Sequence, residues 1–156
     1  MEKKYAGFWW RFIAILLDGI ILWIVKMILI TPFLGVIGFS AYKAASGGMD
    51  EAAAIGMAGA IVGTLLLSWS LSIVAGWLYF ALMESSKFQG TVGKLALGII
   101  VTDVDGNKIS FARATGRYFS KILSGFILMI GYIMAGFTEK KQALHDIIAG
   151  TLVWKK

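Results

Sequence analysis

The sequence predicts an all-α integral membrane protein with two full transmembrane helices, a third membrane-embedded helical element and a small cytoplasmic β-hairpin. Hydrophobic residues make up 58% of the 156 residues and charged residues 15%, whereas soluble domains carry roughly 45–50% and about 25%. Three apolar stretches are long enough to cross or enter a bilayer. Between the second and third of them, β-branched residues alternate around a turn. These observations exclude an ordinary soluble enzyme and indicate one membrane domain over residues 1–156.

The charge balance and residue types narrow the function further. Lys and Arg outnumber Asp and Glu by 15 to 9, and the net charge is +6. In a membrane protein this excess is typical of cytoplasmic loops that face anionic lipid, so we expect contact with the bilayer and no binding of nucleic acid. The chain has no cysteine and one histidine. We therefore expect no metal site, no cofactor and no enzymatic activity, because no nucleophile with a paired base can be assigned.

The first transmembrane helix is predicted at residues 12–30. This stretch of about 19 residues would span about 28 Å, close to the thickness of the hydrocarbon core. We expect it to end at Thr31-Pro32, because proline lacks an amide hydrogen and disfavours helix in the preceding residue. A cleavable signal peptide is the competing interpretation. The length of the stretch, its internal charges Asp18 and Lys26 and the later spans argue against it.

The second transmembrane helix is predicted at residues 55–83, after Asp50 and Glu51, whose carboxylates favour a helix N-terminus. Small residues along it form a ridge that permits close approach of another backbone. We predict helix packing, against helix 1 or a second protomer, at Gly56, Gly59, Ala60, Gly63 and Gly76. The alternative is that this face supports an ion path, lined by the hydroxyl groups of Thr64, Ser68 and Ser72.

The third apolar stretch, residues 119–137, could cross the membrane once or turn back at its glycines. Lys and Arg residues cluster in the N-terminal arm, in the second loop and in the tail, and such residues favour the cytoplasmic side. A single crossing would leave the four lysines of the tail outside. We therefore favour a re-entrant helical hairpin, with both termini cytoplasmic. Its non-helical turn must be buried against the other helices.

The remaining elements are predicted on the cytoplasmic side. Alternating residues around Asp105-Gly106-Asn107 predict a β-hairpin over residues 98–111. A short tail helix is predicted at residues 139–149, with Gly150 as its C-terminal cap. Residues 151–154 could then add an edge strand to the hairpin.

Asp18 is the most informative single residue. An ionised carboxylate about two turns inside an apolar helix costs several kcal/mol unless it is paired or protonated. Arg11 lies seven residues earlier on nearly the same face and is its predicted partner. Asp146, next to His145 in the tail helix, could also meet Arg11 and complete the cluster. The cluster is then either a structural ion pair that fixes helix 1 or a protonatable site on an ion path.

Three segments of the sequence resemble motifs of the RDD family of small prokaryotic membrane proteins, in the order the family has them. They are YAGFWWRFIAILLDGIIL, GTVGKLALGIIVTDVDGNKISFARATGRY and QALHDIIAGTLVW. The resemblance covers nearly the whole chain, and it assigns Arg11, Asp18 and Asp146 to the arginine and two aspartates that give the family its name. It implies a multi-pass protein of the cell membrane with a proposed transport role. Sodium/proton antiport is attributed to at least one member.

Two classes of function therefore stay open. In the leading one, the chain is a transport-related membrane protein that exchanges a monovalent cation such as Na⁺ for a proton. Asp18 would bind the ion, and Arg11 and Asp146 would complete the charge cluster. Because so few helices rarely enclose a pathway, this function predicts a homo-oligomer, a dimer or larger. In the alternative, the chain is a non-transporting scaffold or partner-binding module in which the cluster is structural.

Overall fold

A computed structural model describes residues 4–47, 50–126 and 130–156. The described residues up to Ile20, together with Gly76–Lys156, form one compact unit, and Ile21–Ala75 form a second. The fold is mostly helical, with a small sheet. Its elements are, in order, β1 (Lys4–Tyr5), α1 (Phe8–Gly47), α2 (Glu51–Ser85), α3 (Val92–Ala96), β2 (Ile99–Asp103), α4 (Phe111–Phe126), α5 (Ile130–Ile133) with a 3-10 turn (Met134–Gly136), α6 (Leu144–Ala149) and β3 (Thr151–Lys155).

Helix α1 is far longer than predicted. It continues for 40 residues and contains Pro32, so the predicted end at Thr31-Pro32 is wrong. Proline removes one backbone hydrogen bond, but helices of membrane proteins tolerate this where a nearby hydroxyl satisfies freed backbone groups. The Thr31 hydroxyl donates to the Met27 carbonyl at 2.6 Å, but the carbonyl that Pro32 leaves without its usual donor is that of Ile28. At 1.5 Å per residue, α1 is about 60 Å long, about twice the thickness of the hydrocarbon core.

Helix α2 contains the predicted second span. It starts after Asp50, whose carboxylate accepts a hydrogen bond from the Ala53 amide at 2.7 Å. This carboxylate caps the helix N-terminus, where backbone amides otherwise lack partners. Both α1 and α2 are long and apolar enough to cross a membrane.

The ridge of small residues on α2 is largely open. A Cβ atom built at Gly56, Gly59 or Gly63 would meet nothing within 4 Å, so the predicted packing of helix 1 against these glycines is wrong. Packing against a second protomer stays a prediction. Gly76 differs, because a Cβ there would lie 3.3 Å from the Tyr118 hydroxyl oxygen.

The third element is bent rather than straight. Helix α4 begins at Phe111, well before the predicted start at residue 119. The axes of Phe111–Gly125 and Ile130–Gly136 differ by 119°, and residues 127–129 lie outside the described part of the chain. A Cβ at Gly131 would be 2.8 Å from Ser124 Cβ. Gly131 therefore lets α5 pack tightly against α4.

The sheet replaces the predicted β-hairpin. Its strand order is β1-β3-β2, and both pairs are antiparallel. The turn at Gly106 forms, with φ of 86°, but residues 107–110 do not continue as a strand. Instead β2 pairs with β3, in a register that places Val101 opposite Val153. The predicted edge strand is thus the central strand of the sheet.

Hydrophobic burial explains this pairing. Val101 and Val153 are fully buried and share a small core with residues of α1, α2 and α4. Beyond the turn, Ile109 is buried but Lys108 and Ser110 are exposed, so this segment offers the sheet little apolar surface. Burial of apolar area is the largest favourable contribution to folding, and β3 supplies more of it.

The tail helix begins later than predicted. Lys141 has φ of 49°, and the Thr138 hydroxyl accepts a hydrogen bond from the Gln142 amide at 2.7 Å. These features hold residues 138–142 in a turn, so α6 covers Leu144–Ala149 instead of 139–149. Gly150 adopts the left-handed conformation, with φ of 59°, as its predicted role of C-terminal cap requires.

Candidate functional site

Asp18 lies on α1 and is fully buried in the first compact unit. Its carboxylate accepts hydrogen bonds from the Tyr79 hydroxyl at 2.8 Å, the Thr91 hydroxyl at 2.5 Å and the Gly93 amide at 2.8 Å. All three donors are neutral. They offset part of the cost of burying the carboxylate. No ion pair between described residues includes Asp18.

The short helix α3 rests directly on this carboxylate. The Val92 amide donates to the Tyr79 hydroxyl at 3.0 Å, and the same hydroxyl donates to Asp18. The contact requires glycine at position 93, because a Cβ there would overlap the Ala14 carbonyl oxygen and lie 2.9 Å from Asp18 Cγ. Asp18 therefore fixes the N-terminal end of α3 against the backbone of α1.

A second buried carboxylate, Asp146, is shared by two arginines. Arg11 Nη1 donates to Asp146 Oδ2, and Arg11 Nε donates to the Ala6 carbonyl at 2.8 Å. Arg117 Nε and Nη2 donate to Asp146 Oδ1 at 2.9 and 2.6 Å. Burial raises the pKa of Asp146, but Arg117 and Arg11 outweigh it and hold the pKa below its usual range. Asp146 also accepts the Ala143 amide at 3.0 Å, at the start of α6.

Arg117 links this carboxylate to a third one, Glu84, at the end of α2. Arg117 Nη1 donates to Glu84 Oε2 at 2.8 Å, and Lys94 Nζ donates to Glu84 Oε1 at 2.5 Å. Lys121 Nζ lies 3.7 Å from the same Oε1. Burial lowers the pKa of Lys94 to about 7, and Arg117 and Lys121 lower it too, while Glu84 opposes them.

His145 lies beside this network. Its Nε2 is 3.5 Å from Asp146 Oδ1, its Nδ1 is 3.4 Å from the Ser124 hydroxyl, and its ring packs on Tyr132. Burial, the largest effect, lowers the pKa of His145 to about 2, although Asp146 opposes it. The imidazole is therefore neutral at physiological pH and fills space between α4 and α6.

The structure brings some of the predicted site residues together and separates others. Arg11 and Asp146 meet, and His145 adjoins them. The predicted ion pair between Arg11 and Asp18 does not form. The physical reason is that bonds to Asp146 and to the carbonyls of Ala6 and Lys141 hold the Arg11 guanidinium at the inner end of α1, while Asp18 accepts from three donors of its own.

One of the hydroxyl groups predicted to support an ion path, that of Ser72, has a local partner. Ser72 donates to the Ser68 carbonyl at 2.6 Å, one turn earlier in α2. Thr64, Ser68 and Ser72 are half-buried. The three donors to Asp18 come from other residues, so a role for this face in an ion path stays a prediction.

Several residues of the network escape prediction from the sequence. In the sequence, Lys94 and Arg117 are two of the loop cations that indicate which side of the protein faces the cytoplasm, and nothing marks them as members of a buried cluster. Glu84 carries a signal that could have marked it, because it ends a long apolar stretch that holds no other charge from residue 52 onward. Lys121 follows Arg117 by four residues, so both lie on one face of α4.

The arrangement consists of buried ion pairs and charge-assisted hydrogen bonds. Within residues 4–47, 50–126 and 130–156, no three His, Asp or Glu side chains converge as a metal site would require. Every buried side-chain nitrogen and oxygen in these ranges has a hydrogen-bond partner. The carboxylates differ in one respect. Glu84 and Asp146 face cationic groups, whereas Asp18 faces neutral donors.

Comparisons with known proteins give one family and two relatives. The sequence model described as "RDD family" matches residues 5–150. The chain is 40% identical to "Uncharacterized protein YxaI" of Bacillus subtilis (strain 168), over 98% of each chain. It is 32% identical to "Uncharacterized membrane protein YteJ" of the same strain, over 98% of this chain and 82% of the relative. No solved structure matches.

Proposed function

Because the chain belongs to the RDD family of membrane proteins, we propose that it is a transport-related protein that exchanges a monovalent cation such as Na⁺ for a proton. Asp18 is the group that binds the ion. The bacterial relatives favour a prokaryotic cell membrane as its location.

The burial of Asp18 without a cationic contact carries this proposal. A charged group inside a membrane segment is costly and is typically retained for function. Two other buried carboxylates, Glu84 and Asp146, already have arginine partners. Asp18 has three neutral donors instead, so an incoming cation or proton would not compete there with a cationic side chain in direct contact. The hydroxyl oxygens of Tyr79 and Thr91 are hard ligands of the kind that alkali cations accept.

Arg11 and Asp146 take a different part in this function from the one expected. They do not neutralise Asp18. Their ion pair, shared with Arg117, joins the start of α1 to α6 and α4. We assign them the role of holding the inner end of α1, and with it Asp18, in position.

The sheet supports the membrane topology expected from the charges. Residues 4–5, 99–103 and 151–155 lie in one hydrogen-bonded sheet, and such a sheet must lie on one side of the bilayer. Two crossings by α1 and α2 satisfy this condition, whereas one further crossing by α4 would separate β2 from β3. This favours a re-entrant α4–α5 element, with both termini on the cytoplasmic side.

The open glycines of α2 support a homo-oligomer. Gly56, Gly59 and Gly63 lie on a helix that is apolar enough to cross the membrane. Small residues permit close helix–helix contact where lipid gives no hydrophobic driving force. A second copy of α2 fits this requirement, and a dimer would supply enough helices to enclose a pathway.

Cation flux in proteoliposomes tests the proposed exchange. We expect wild-type protein to move Na⁺, K⁺ or Li⁺ against an imposed proton gradient. Asp18→Asn keeps the size of the side chain but removes its charge, so it should reduce flux at least tenfold. A pH-sensitive dye inside vesicles that contain the purified full chain measures the accompanying proton movement.

The matched control is Asp105→Asn, which removes a carboxylate from an exposed turn. It should transport like wild type. Melting temperatures of all three proteins separate loss of function from loss of fold. Absence of flux in wild type, or full flux in a folded Asp18→Asn protein, contradicts the proposal.

A scaffold without transport activity is the second candidate function, and the closed ion network favours it. Each buried polar side-chain atom in the described ranges is already satisfied, as a purely structural cluster would require. In that case wild type shows no flux, and Asp18→Asn changes only the melting temperature.

A further inference from the structure

Three cationic side chains converge on the single carboxylate of Glu84. Lys94 comes from α3, and Arg117 and Lys121 come from α4. All are largely buried, with side-chain exposures of 5%, 2% and 14%. Asp146 compensates one of these charges through Arg117, but it is also shared with Arg11. The buried network thus holds four cationic groups against two carboxylates, which is unfavourable at low dielectric.

Lys94 is the group that can relieve this excess of positive charge, because it can lose its proton. Arginine does not lose its proton in proteins, so Arg11 and Arg117 stay charged. Lys121 lies with its Nζ 4.2 Å from the centre of the Phe80 ring, an arrangement that stabilises a cation. Among the residues that the structure describes, no aromatic ring lies over the Lys94 ammonium, and Lys94 Nζ donates to Glu84. Its pKa of about 7 agrees with this assignment.

Lys94 is coupled to Asp18 through α3. The helix has 5 residues, and Lys94 is the residue directly after Gly93. Its N-terminal end supplies the Thr91 hydroxyl and the Gly93 amide to Asp18, and Lys94 follows directly on the side that faces Glu84. Any change that expels Lys94 from the network therefore also withdraws two of the three donors from Asp18.

We propose that protonation of Lys94 releases α3 and thereby uncovers Asp18, so that acidity on the side of the membrane where α3 lies controls access to this carboxylate. The inference rests on the proposed function only for what Asp18 binds. The release itself is a property of α3. The charged groups that act on Lys94 are Glu84 from α2, and Arg117 and Lys121 from α4; from α1, Asp18 holds the start of the helix.

The direction of the pH effect follows from the two environments of Lys94. In water, after release, the ammonium keeps its ordinary pKa of about 10.4, whereas the docked side chain has a pKa of about 7. Between these values the released form binds a proton that the docked form lacks, so acidification favours release. Below about 7 both forms are protonated and the effect levels off. Linkage predicts that the opening equilibrium rises about tenfold from pH 8 to pH 6.

Hydrogen–deuterium exchange of the full chain in lipid nanodiscs measures this release. The Val92 and Gly93 amides bond to Tyr79 and Asp18, so a peptide over residues 90–97 reports the docking of α3. After correction for the intrinsic pH dependence of exchange, we expect wild type to open about tenfold more at pH 6 than at pH 8. An opening equilibrium that does not change with pH overturns the proposal.

Two variants assign the effect to Lys94. Lys94→Met is neutral and of similar length, so residues 90–97 should stay protected at pH 6 and the pH dependence should disappear. Lys87→Met removes an exposed lysine near α3 and should behave as wild type. If Lys94→Met keeps the pH dependence, the proposal is wrong.

The outcome is independent of the transport assay. Absence of flux contradicts the proposed exchange and leaves the measured release of α3 intact. A flat exchange profile in a protein that transports contradicts the release and leaves the exchange intact.

Discussion

At the residue scale, Gly93 decides whether α3 can reach Asp18. The backbone of α3 comes so near to α1 that no side chain fits between them, since a Cβ would overlap the Ala14 carbonyl oxygen. The same closeness allows the Gly93 amide to donate to the buried carboxylate. Loss of the contact would leave Asp18 with fewer donors, and unsatisfied buried charge is among the most costly defects in a fold.

Gly93→Ala should therefore destabilise the protein. Overpacking of this kind costs typically about 1–3 kcal/mol, and we expect a lower midpoint of chemical denaturation in detergent. Gly116→Ala is the matched control, because Gly116 lies in α4 with nothing within 4 Å of a Cβ; alanine there should be neutral or stabilising by up to about 1 kcal/mol. Equal midpoints for the two variants would contradict the assigned role of Gly93.

The sequence predicted the contact of Arg11 with Asp146 but not the partners of Asp18. The contact with Asp146 follows if the tail packs under helix 1, whereas helical spacing pairs Arg11 with Asp18 instead. The partners of Asp18 lie 61, 73 and 75 residues away along the chain. Spacing within a helix cannot identify partners so far away along the chain. It points to Arg11, the nearest cation on the same face of α1, and that prediction is wrong.

At the element scale, the bend between α4 and α5 depends on another tight contact. A Cβ at Gly131 would lie within 3 Å of the Ser124 side chain and backbone, the nearest atom being Ser124 Cβ at 2.8 Å. Because Ser124 is itself buried, it has no free space to move into. The packing of α5 on α4 is therefore specific to glycine at this position.

Gly131→Ala should push α5 away from α4. Spin labels at the exposed residues Phe119 and Ile133 should show a longer or broader distance distribution in this variant. Gly125→Ala is the control, since a Cβ at Gly125 meets nothing within 4 Å, and its distribution should match wild type. An unchanged distribution in Gly131→Ala would show that the contact does not maintain the bend.

The elements that the sequence predicted well carry local signals, and the others do not. Asp50 marks the start of α2, and Gly150 marks the end of α6. The turn at Gly106 also forms, but a turn does not specify which strand pairs with β2. That choice depends on buried area contributed by β3, about 50 residues later. In α1, Pro32 predicts the end of the helix, but the helix continues through it to Gly47.

At the scale of the whole molecule, the sheet joins three distant parts of the chain. Strand β3 pairs with β1 on one side and with β2 on the other. Tyr5 stacks on Trp154 with ring centroids 4.3 Å apart, and Trp154 donates to the Thr102 hydroxyl at 2.8 Å. Any membrane topology must keep these parts on one side.

Cysteine labelling tests this topology. The chain contains no cysteine, so each introduced cysteine is the one labelling site in the protein. Cysteines introduced singly at Lys4 and Lys155 should resist a membrane-impermeant maleimide in intact cells and react after permeabilisation. Tyr42→Cys, at an exposed position beyond Pro32, should react from outside. Labelling of Lys4→Cys and Lys155→Cys from opposite sides would contradict a common location for the two termini.

The central position of β3 also bears on how the chain matures. Ribosomes make β1 and β2 before β3, yet neither earlier strand has a neighbour in the sheet until β3 arrives. Both must wait with unpaired edges while the later helices are inserted, and edges of that kind invite wrong association. Closure of the sheet is therefore a late event in biogenesis, and it joins residues 4–5, 99–103 and 151–155 in one step.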